Sequence, residues 1–143
     1  MPKGTATCNN IINLYYRAEA IANIADNAAA SPITQIKMRL ATASYGPSST
    51  GSSNEATYTN YAAQDVPRSG SGWTAASGGA TSNAAAIEFP QCGASGNTIT
   101  SACASKGAGA SDVFHYGDLN ASIAVSNQIQ PRFAIGAVTI TEQ

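Results

Sequence analysis

The residues that could carry out chemistry are few in this chain. The only histidine, His115, lies three residues after Asp112, and serines are abundant, so a Ser-His-Asp triad is the first arrangement to consider. The Gly-x-Ser-x-Gly sequence of a nucleophile elbow is absent. A histidine on a strand is more often a packed or surface residue than a catalytic one. The sequence therefore predicts no catalytic residues and no enzymatic activity.

Sites for metals and cofactors are equally hard to assemble from the sequence. The glycine pairs at 70/72, 78/79 and 107/109 lack the Gly-x4-Gly-Lys-Ser/Thr spacing of a phosphate loop, which favours turns. The acidic residues are scattered and form no calcium-binding loop. Cys8, Cys92 and Cys103 include no Cys-x-x-Cys pair, and we expect reduced, buried thiols. No cofactor-binding or metal residues are therefore predicted.

The composition indicates which partners to expect. Charged residues make up 10% of the chain, against about 25% in typical soluble domains, and the net charge is −1. Without a basic stripe, nucleic acid is excluded as a partner. Such a weakly repulsive surface favours close association with neighbouring proteins. The sequence shows neither an apolar leader segment nor a membrane-spanning run, which predicts synthesis in the cytoplasm and no membrane partner.

Hydrophobic periodicity predicts one helix followed by strands. A helix is expected over about 10–27, with Thr7, Asn9 or Asn10 as candidate caps and Ser31-Pro32 as its end. Its apolar stripe consists of Ile11, Leu14, Tyr15, Ala18, Ile21, Ala22 and Ala25, and its polar side includes Asn13, Arg17, Glu19, Asn23, Asp26 and Asn27. After Pro32 the period changes to 2, because Ile36, Met38 and Leu40 alternate with Lys37, Arg39 and Ala41.

The remainder of the chain is typical of a mainly β protein. An exposed loop is predicted at about 43–56, where Gly, Pro, Ser and Asn are dense. Further short strands are predicted at 57–66, 73–76, 84–89, 98–104, 112–116, 122–125, 129–135 and 137–141. With one preceding helix, this pattern favours an antiparallel β-sandwich, with a jelly roll as the leading arrangement. We predict a single domain over residues 1–143.

Aromatic side chains leave two interpretations open. The set consists of Trp73, Tyr15, Tyr16, Tyr45, Tyr58, Tyr61 and Tyr116. They could line a sugar-binding face of a receptor-binding module. Core residues or interface anchors are the favoured interpretation, because large aromatic side chains usually serve in those roles.

Three motifs in order carry a resemblance to a known family. They are Tyr61-Ala-Ala-Gln-Asp-Val66, then Ala75-Ala-Ser-Gly-Gly-Ala-Thr-Ser-Asn83, then Ile87-Glu-Phe-Pro90. Together with the closing run from Phe133 to Thr141, they resemble the small tailed-bacteriophage virion proteins usually labelled tail fibre proteins. Those proteins also begin with a helix, a proline and an alternating strand. The middle of the chain, between Gln91 and Ser111, lacks the Trp-Gly pair that they usually carry.

The resemblance implies a structural protein of the phage particle. Small β proteins of this kind include capsid cement or decoration proteins, which bind the outside of the shell and bridge subunits of the major capsid protein. They are commonly dimers or trimers, so the resemblance implies a homo-oligomer. We expect that role and a location on the capsid exterior, with the N-terminal helix, the 43–56 loop and the C-terminal strand reaching neighbouring subunits. The alternatives are a tail fibre or host-receptor-binding module, and a small cell-wall hydrolase that depends on His115.

Overall fold

The computed structural model describes residues 3–21, 33–109 and 112–142 and is mainly β, as the sequence predicts. Its elements are α1 Thr5–Arg17, β1 Gln35–Ala41, β2 Gln64–Pro67, β3 Ala80–Ser82, β4 Ile87–Glu88, β5 Thr98–Ser105, β6 Val113–Ala124, β7 Arg132–Phe133 and β8 Thr139–Thr141. One sheet has the order β2-β1-β5-β6, and the pairs β3-β8 and β4-β7 form two smaller sheets. A helix followed by strands is thus confirmed, and the jelly-roll sandwich stays a prediction.

The chain divides into two compact units, which are described separately. Unit 1 comprises Met1–Gln35, Pro67–Ile87 and Phe133–Gln143, and unit 2 comprises Ile36–Val66 and Glu88–Arg132. The single domain over 1–143 stays a prediction. None of the helices in the described part of the chain has the length and apolar character needed to cross a bilayer.

The predicted bounds of the helix, about 10–27, are wrong where the structure describes them. Helix α1 begins after Gly4, which caps it without a side-chain bond, so the predicted caps Thr7, Asn9 and Asn10 lie inside it. It ends at Arg17 because Ala18 adopts a left-handed φ of 57°, and the N–H of Glu19 donates to the carbonyl oxygen of Asn13 at 3.2 Å. Residues 22–27 of the prediction lie outside the described residues.

The buried face of α1 also differs from the predicted stripe. Cys8, Ile12 and Tyr16 are buried, whereas Tyr15 is exposed. The ring of Tyr16 packs edge-on against Trp73, with 4.6 Å between centroids. The buried face is therefore rotated by about one residue position, roughly 100°, from the predicted stripe of Ile11, Leu14 and Tyr15.

A row of polar residues on α1 fixes the helix to a β-hairpin of unit 1. Asn9 Oδ1 accepts the N–H of Gly79 at 2.6 Å, and Asn13 Oδ1 accepts the N–H of Ala76 at 3.0 Å. One turn further on, Arg17 Nη1 donates to the carbonyl oxygen of Trp73 at 3.3 Å. Asn13 and Arg17, predicted on the polar side, are therefore docking residues whose four-residue spacing matches one helical face.

The hairpin itself turns at two glycines of the motif at 75–83. Ser77 and Ala80 exchange two backbone hydrogen bonds, and Gly78 and Gly79 between them have φ values of 62° and 79°. Two consecutive positive φ values define a type I′ turn, which matches the twist of the flanking strands. At Gly79 an added Cβ would also lie 2.9 Å from the carbonyl oxygen of Glu142.

In unit 2 the predicted alternation of buried and exposed side chains along β1 holds only up to Met38, because residues 38–41 are all buried. Ile36, Met38 and Leu40 are buried, and β1 pairs antiparallel with β5 through a register that sets Arg39 opposite Cys103. Arg39 is nevertheless also buried, against the prediction of an exposed position. A buried guanidinium needs partners, and they come from the segment after β1.

The partners of Arg39 form a polar network in unit 2. Arg39 Nη1 lies 2.7 Å from Glu55 Oε1, and Arg39 Nε donates to Ser105 Oγ at 3.2 Å. Tyr61 donates its hydroxyl to the same Glu55 oxygen at 3.0 Å, and that hydroxyl accepts the N–H of Leu40. The ion pair therefore ties the end of the 43–56 segment to the sheet.

The predicted exposed loop at about 43–56 is exposed only in part. Tyr45, Gly51 and Ala56 are buried. Gly51 lies so close to the turn after β5 that an added Cβ would be 2.3 Å from the carbonyl oxygen of Gly107. The segment folds back on unit 2 because its backbone N–H groups at 51 and 52 donate to carbonyl oxygens at 109 and 108.

The turn at Gly78 and Gly79 allows a matched test. Gly79→Ala should lower the free energy of unfolding by at least about 2 kcal/mol, because it adds a contact with the Glu142 carbonyl to the strain of a positive φ. Gly78→Ala has the same strain but meets no atom within 4 Å, so about 1 kcal/mol is expected. Urea unfolding followed by circular dichroism measures both, and equal losses would contradict the close approach at Gly79.

The Arg39–Glu55 pair has a matched control in Lys37–Asp65, an exposed pair of the same unit at 2.6 Å. Glu55→Ala should lower the free energy of unfolding by about 2 kcal/mol, because it leaves a guanidinium only 10% exposed without its carboxylate. Asp65→Ala should change it by no more than about 0.5 kcal/mol, since solvent screens that pair. Urea titration of the two variants compares them, and equal effects would refute the importance of burial.

Candidate interaction surfaces

The carboxylate of Asp112 is engaged in the turn between β5 and β6. Its Oδ2 accepts the N–H of Gly109 at 2.9 Å, and its Oδ1 lies 3.4 Å from Lys106 Nζ. A Cβ added at Gly107 or Gly109 would lie within 3 Å of Oδ2, so these glycines make room for the carboxylate, as expected of turn glycines. His115 lies on β6 opposite Ala104. The contacts of Asp112 at Gly109 and Lys106 are thus those of a residue that stabilises a turn.

The structure places the other candidates for chemistry apart. Within residues 3–21, 33–109 and 112–142, no three His, Cys, Asp or Glu side chains are positioned to share a metal ion. Cys8, Cys92 and Cys103 are all buried and free of disulfides, as predicted. Burial raises the pKa of the Cys103 thiol, which favours the protonated and less reactive form.

The aromatic residues are mostly internal, in agreement with the favoured interpretation. Trp73, Tyr16, Tyr45 and Tyr58 are buried, and Tyr61 is half-buried. Tyr61 stacks on Phe89 with 6.3 Å between centroids and contacts Tyr58 edge-on. Tyr15 and Tyr116 are exposed, the first in unit 1 and the second in unit 2. These positions do not assemble the seven residues into one sugar-binding face.

An exposed apolar turn stands out in unit 1. Residues 134–137, Ala-Ile-Gly-Ala, form a β-turn in which the N–H of Ala137 donates to the carbonyl oxygen of Ala134 at 3.0 Å. Gly136 has a φ of 76°, as position three of a type II turn requires. Ile135 at its tip is 70% exposed, the most exposed of the large apolar side chains described. We call residues 134–137 the apolar turn.

Asn83, the last residue of the glycine-containing motif, holds this turn in place. It is fully buried, and its Nδ2 donates to the carbonyl oxygens of Ala85 at 2.7 Å and Ala134 at 2.8 Å. Its Oδ1 accepts the N–H of Val138 at 2.9 Å, and its own carbonyl oxygen accepts the N–H of Gly136. Both N–H groups and the carbonyl oxygen of this amide side chain are thus hydrogen-bonded. The turn is therefore ordered before it meets a partner.

The second surface is the outer edge of β6 in unit 2, which we call the β6 edge. β6 is the last strand of the four-stranded sheet, and no strand of the described residues pairs with its outer side. Its twelve residues are exposed or half-buried, and Tyr116 is 45% exposed. Asp118 is its only Lys, Arg, Asp or Glu residue. Such an edge offers backbone donors and acceptors to another chain.

Two irregularities divide β6. Ile99 pairs with Ile123 but Ser101 pairs with Asp118, so residues 119–122 oppose Thr100 alone. At the other end, Ala104 pairs with His115 and Ser105 with Val113, which leaves Phe114 as an inserted residue. The regular stretch of the β6 edge is therefore 115–118. The sequence predicted two separate strands, at 112–116 and 122–125, around these irregularities.

The sequence analysis did not single out Ile135 as exposed or Asn83 as a residue that holds a turn. The sequence predicts Ile135 within a strand at 129–135, because an apolar run before a glycine is also typical of a buried strand. The usable signal was Gly136 between two short apolar runs, which is typical of a turn. Asn83 had no local signal beyond its place in the motif, since its partners at 134 and 138 are distant in sequence.

Comparison with known proteins identifies one family. The family model described as "Podophage GP4 fiber I protein gp80" matches residues 7–141, which is nearly the whole chain and includes both surfaces. No curated protein matches the chain at a significant level.

Asn83→Ala should release the apolar turn. The variant removes three side-chain hydrogen bonds, so we expect a loss of about 3 kcal/mol in the free energy of unfolding. Amide hydrogen exchange at Gly136 and Val138 should accelerate more than at β5 in the same variant. Asn120→Ala, an exposed asparagine on β6, is the control and should stay within about 0.5 kcal/mol of the parent. Unchanged exchange at 136 and 138 would disprove this role of Asn83.

Proposed function

Because the chain belongs to the podophage GP4 fiber I protein gp80 family, a family of phage virion proteins, we propose that it is a non-enzymatic structural subunit of a tail fibre. The observation that carries the proposal is the family match over residues 7–141. The order of motifs at 61–66, 75–83 and 87–90 supports it independently, since it resembles small phage proteins labelled tail fibre proteins.

The geometry supports a function based on protein contacts. The apolar turn presents Ile135 on a backbone that Asn83 already orders, so little conformational entropy is lost when a neighbouring protein covers it. When a partner covers this isoleucine, the contact is stabilised by about 25 cal/mol for each Å² of apolar surface that is removed from water. A rigid apolar contact of this kind suits a subunit that is fixed permanently among other proteins.

A capsid cement protein is the second candidate. In that role the chain would bind the outside of the shell as a homo-oligomer and bridge subunits of the major capsid protein. The absence of an internal repeat favours it, because fibre shafts are commonly built from repeats. The low charge of 10% favours close packing on a shell. If the chain is part of a tail fibre, the same lack of repeats favours an attachment or tip module over a shaft.

The two candidates differ in where the chain lies in the particle. Antibodies against the purified protein, viewed by electron microscopy on intact particles, should label the tail, and particles made without the gene product should carry no label. Adsorption to host cells should fall in the particles that lack the protein, while their capsids keep the heat stability of the parent. Label on the capsid faces with an early loss of DNA on heating would replace the tail-fibre proposal with the cement candidate.

A further inference from the structure

The two edges of the four-stranded sheet differ in their capacity to pair. The β2 edge has four residues, ends in Pro67, which has no backbone N–H, and carries Asp65 in an ion pair with Lys37. Short length, proline and charge are the features by which proteins block an edge. The β6 edge has twelve residues with a single charged side chain among them. The β2 edge is therefore protected from pairing with another chain, whereas the β6 edge is available for it.

This asymmetry determines which kind of self-association is available. Head-to-tail stacking would have to join the β6 edge of one copy to the β2 edge of the next, where Pro67 interrupts the ladder. A two-fold arrangement joins β6 to β6 and leaves both β2 edges outside. The sheet then grows from four strands to eight and stops.

We propose that the β6 edge binds the β6 edge of a second copy of this chain, antiparallel about a two-fold axis that passes next to Gly117. The regular stretch 115–118 lies between the two irregularities of β6 and limits the length over which a second copy can pair. The inference does not depend on whether the protein lies on the tail or on the capsid.

Side-chain chemistry favours the register at Gly117. Cross-strand neighbours at the axis approach within about 4.5–5.5 Å, and a glycine on each copy leaves that position free of side-chain collision. In this register Tyr116 of one copy lies opposite Asp118 of the other. Its phenol can donate to that carboxylate, and the arrangement occurs twice. A register centred on Asp118 would instead set two carboxylates against each other, which is unfavourable.

The overall charge does not oppose this pairing. The net charge is −1 for each copy, so long-range repulsion between copies is weak. Tyr116 is 45% exposed, and its ring centroid lies 6.3 Å from that of Tyr45. The second copy would cover the exposed side of Tyr116. Because the paired stretch is short, we expect purified copies of the chain to associate with modest affinity. Disulfide trapping detects such a weak dimer.

Cysteine trapping tests the axis directly. Gly117→Cys should form a disulfide-linked dimer under oxidised glutathione, because paired strands bring opposite Cα atoms within disulfide range. Gly46→Cys is the matched control: an added Cβ meets no atom within 4 Å at either glycine, and neither has a positive φ. The native cysteines are buried and contribute little background. Dimer should form at least about tenfold faster for Gly117→Cys, because pairing raises the effective concentration of the thiols.

A mixture of variants tests the register. Tyr116→Cys and Asp118→Cys, mixed in equal amounts and separated by mass, should give mixed dimer well above the twofold excess over each like dimer that random pairing produces. Equal rates for Gly117→Cys and Gly46→Cys would overturn the pairing and leave the β6 edge to an extended segment of a different virion protein. Preferential like dimers of Asp118→Cys would overturn the axis at Gly117. Circular dichroism of each variant, compared with the parent, confirms that the fold is retained.

Discussion

The buried amide of Asn83 is the interaction on which the arrangement of unit 1 depends. It joins the end of the glycine hairpin to the segment that leads into β8, and it does so with backbone groups that would otherwise be buried without partners. Asn9 and Asn13 act in the same way between α1 and the hairpin. In a chain rich in small residues, amide side chains thus supply the contacts that larger apolar side chains supply elsewhere.

The few charged residues are used largely as internal links. Arg39 and Glu55 tie the segment after β1 to the sheet, and Lys3 pairs with Glu142. Arg68 donates to the carbonyl oxygens of Leu14 and Tyr15 at the end of α1, where a cation also interacts favourably with the helix dipole. Since these charges are neutralised within the molecule, the surface is left weakly repulsive, which suits a protein that functions among other proteins.

The apolar turn and the β6 edge combine order with exposure in different ways. The turn is ordered by side-chain bonds to its backbone and exposes one large apolar side chain. The edge is ordered by its ladder with β5 and exposes backbone groups. Contacts of both kinds can be repeated by particle symmetry, so a modest free energy for each copy sums to a stable assembly.

The mainly β class, the leading helix and the burial of Ile36, Met38 and Leu40 on β1 could be predicted from the sequence because each rests on local periodicity. Turn glycines could be predicted for the same reason, and the order of motifs indicated a phage virion protein. The end of α1 could not be predicted from the sequence, because Ala18, Glu19 and the distant Arg68 together end the helix. The burial of Arg39 likewise depends on Glu55, sixteen residues away.

The two surfaces were decided by tertiary structure alone. Ile135 is apolar and β-branched, and by local pattern it belongs in a strand. It is exposed because Asn83, fifty-one residues from Ala134, binds the backbone on both sides of it and holds the chain in a turn. In the same way, the position of β6 at the edge follows from the strand order, in which β5 lies between β1 and β6. The sequence by itself determined the elements and the family, and long-range hydrogen bonds determined which residues are left for a partner, since no local pattern encodes them.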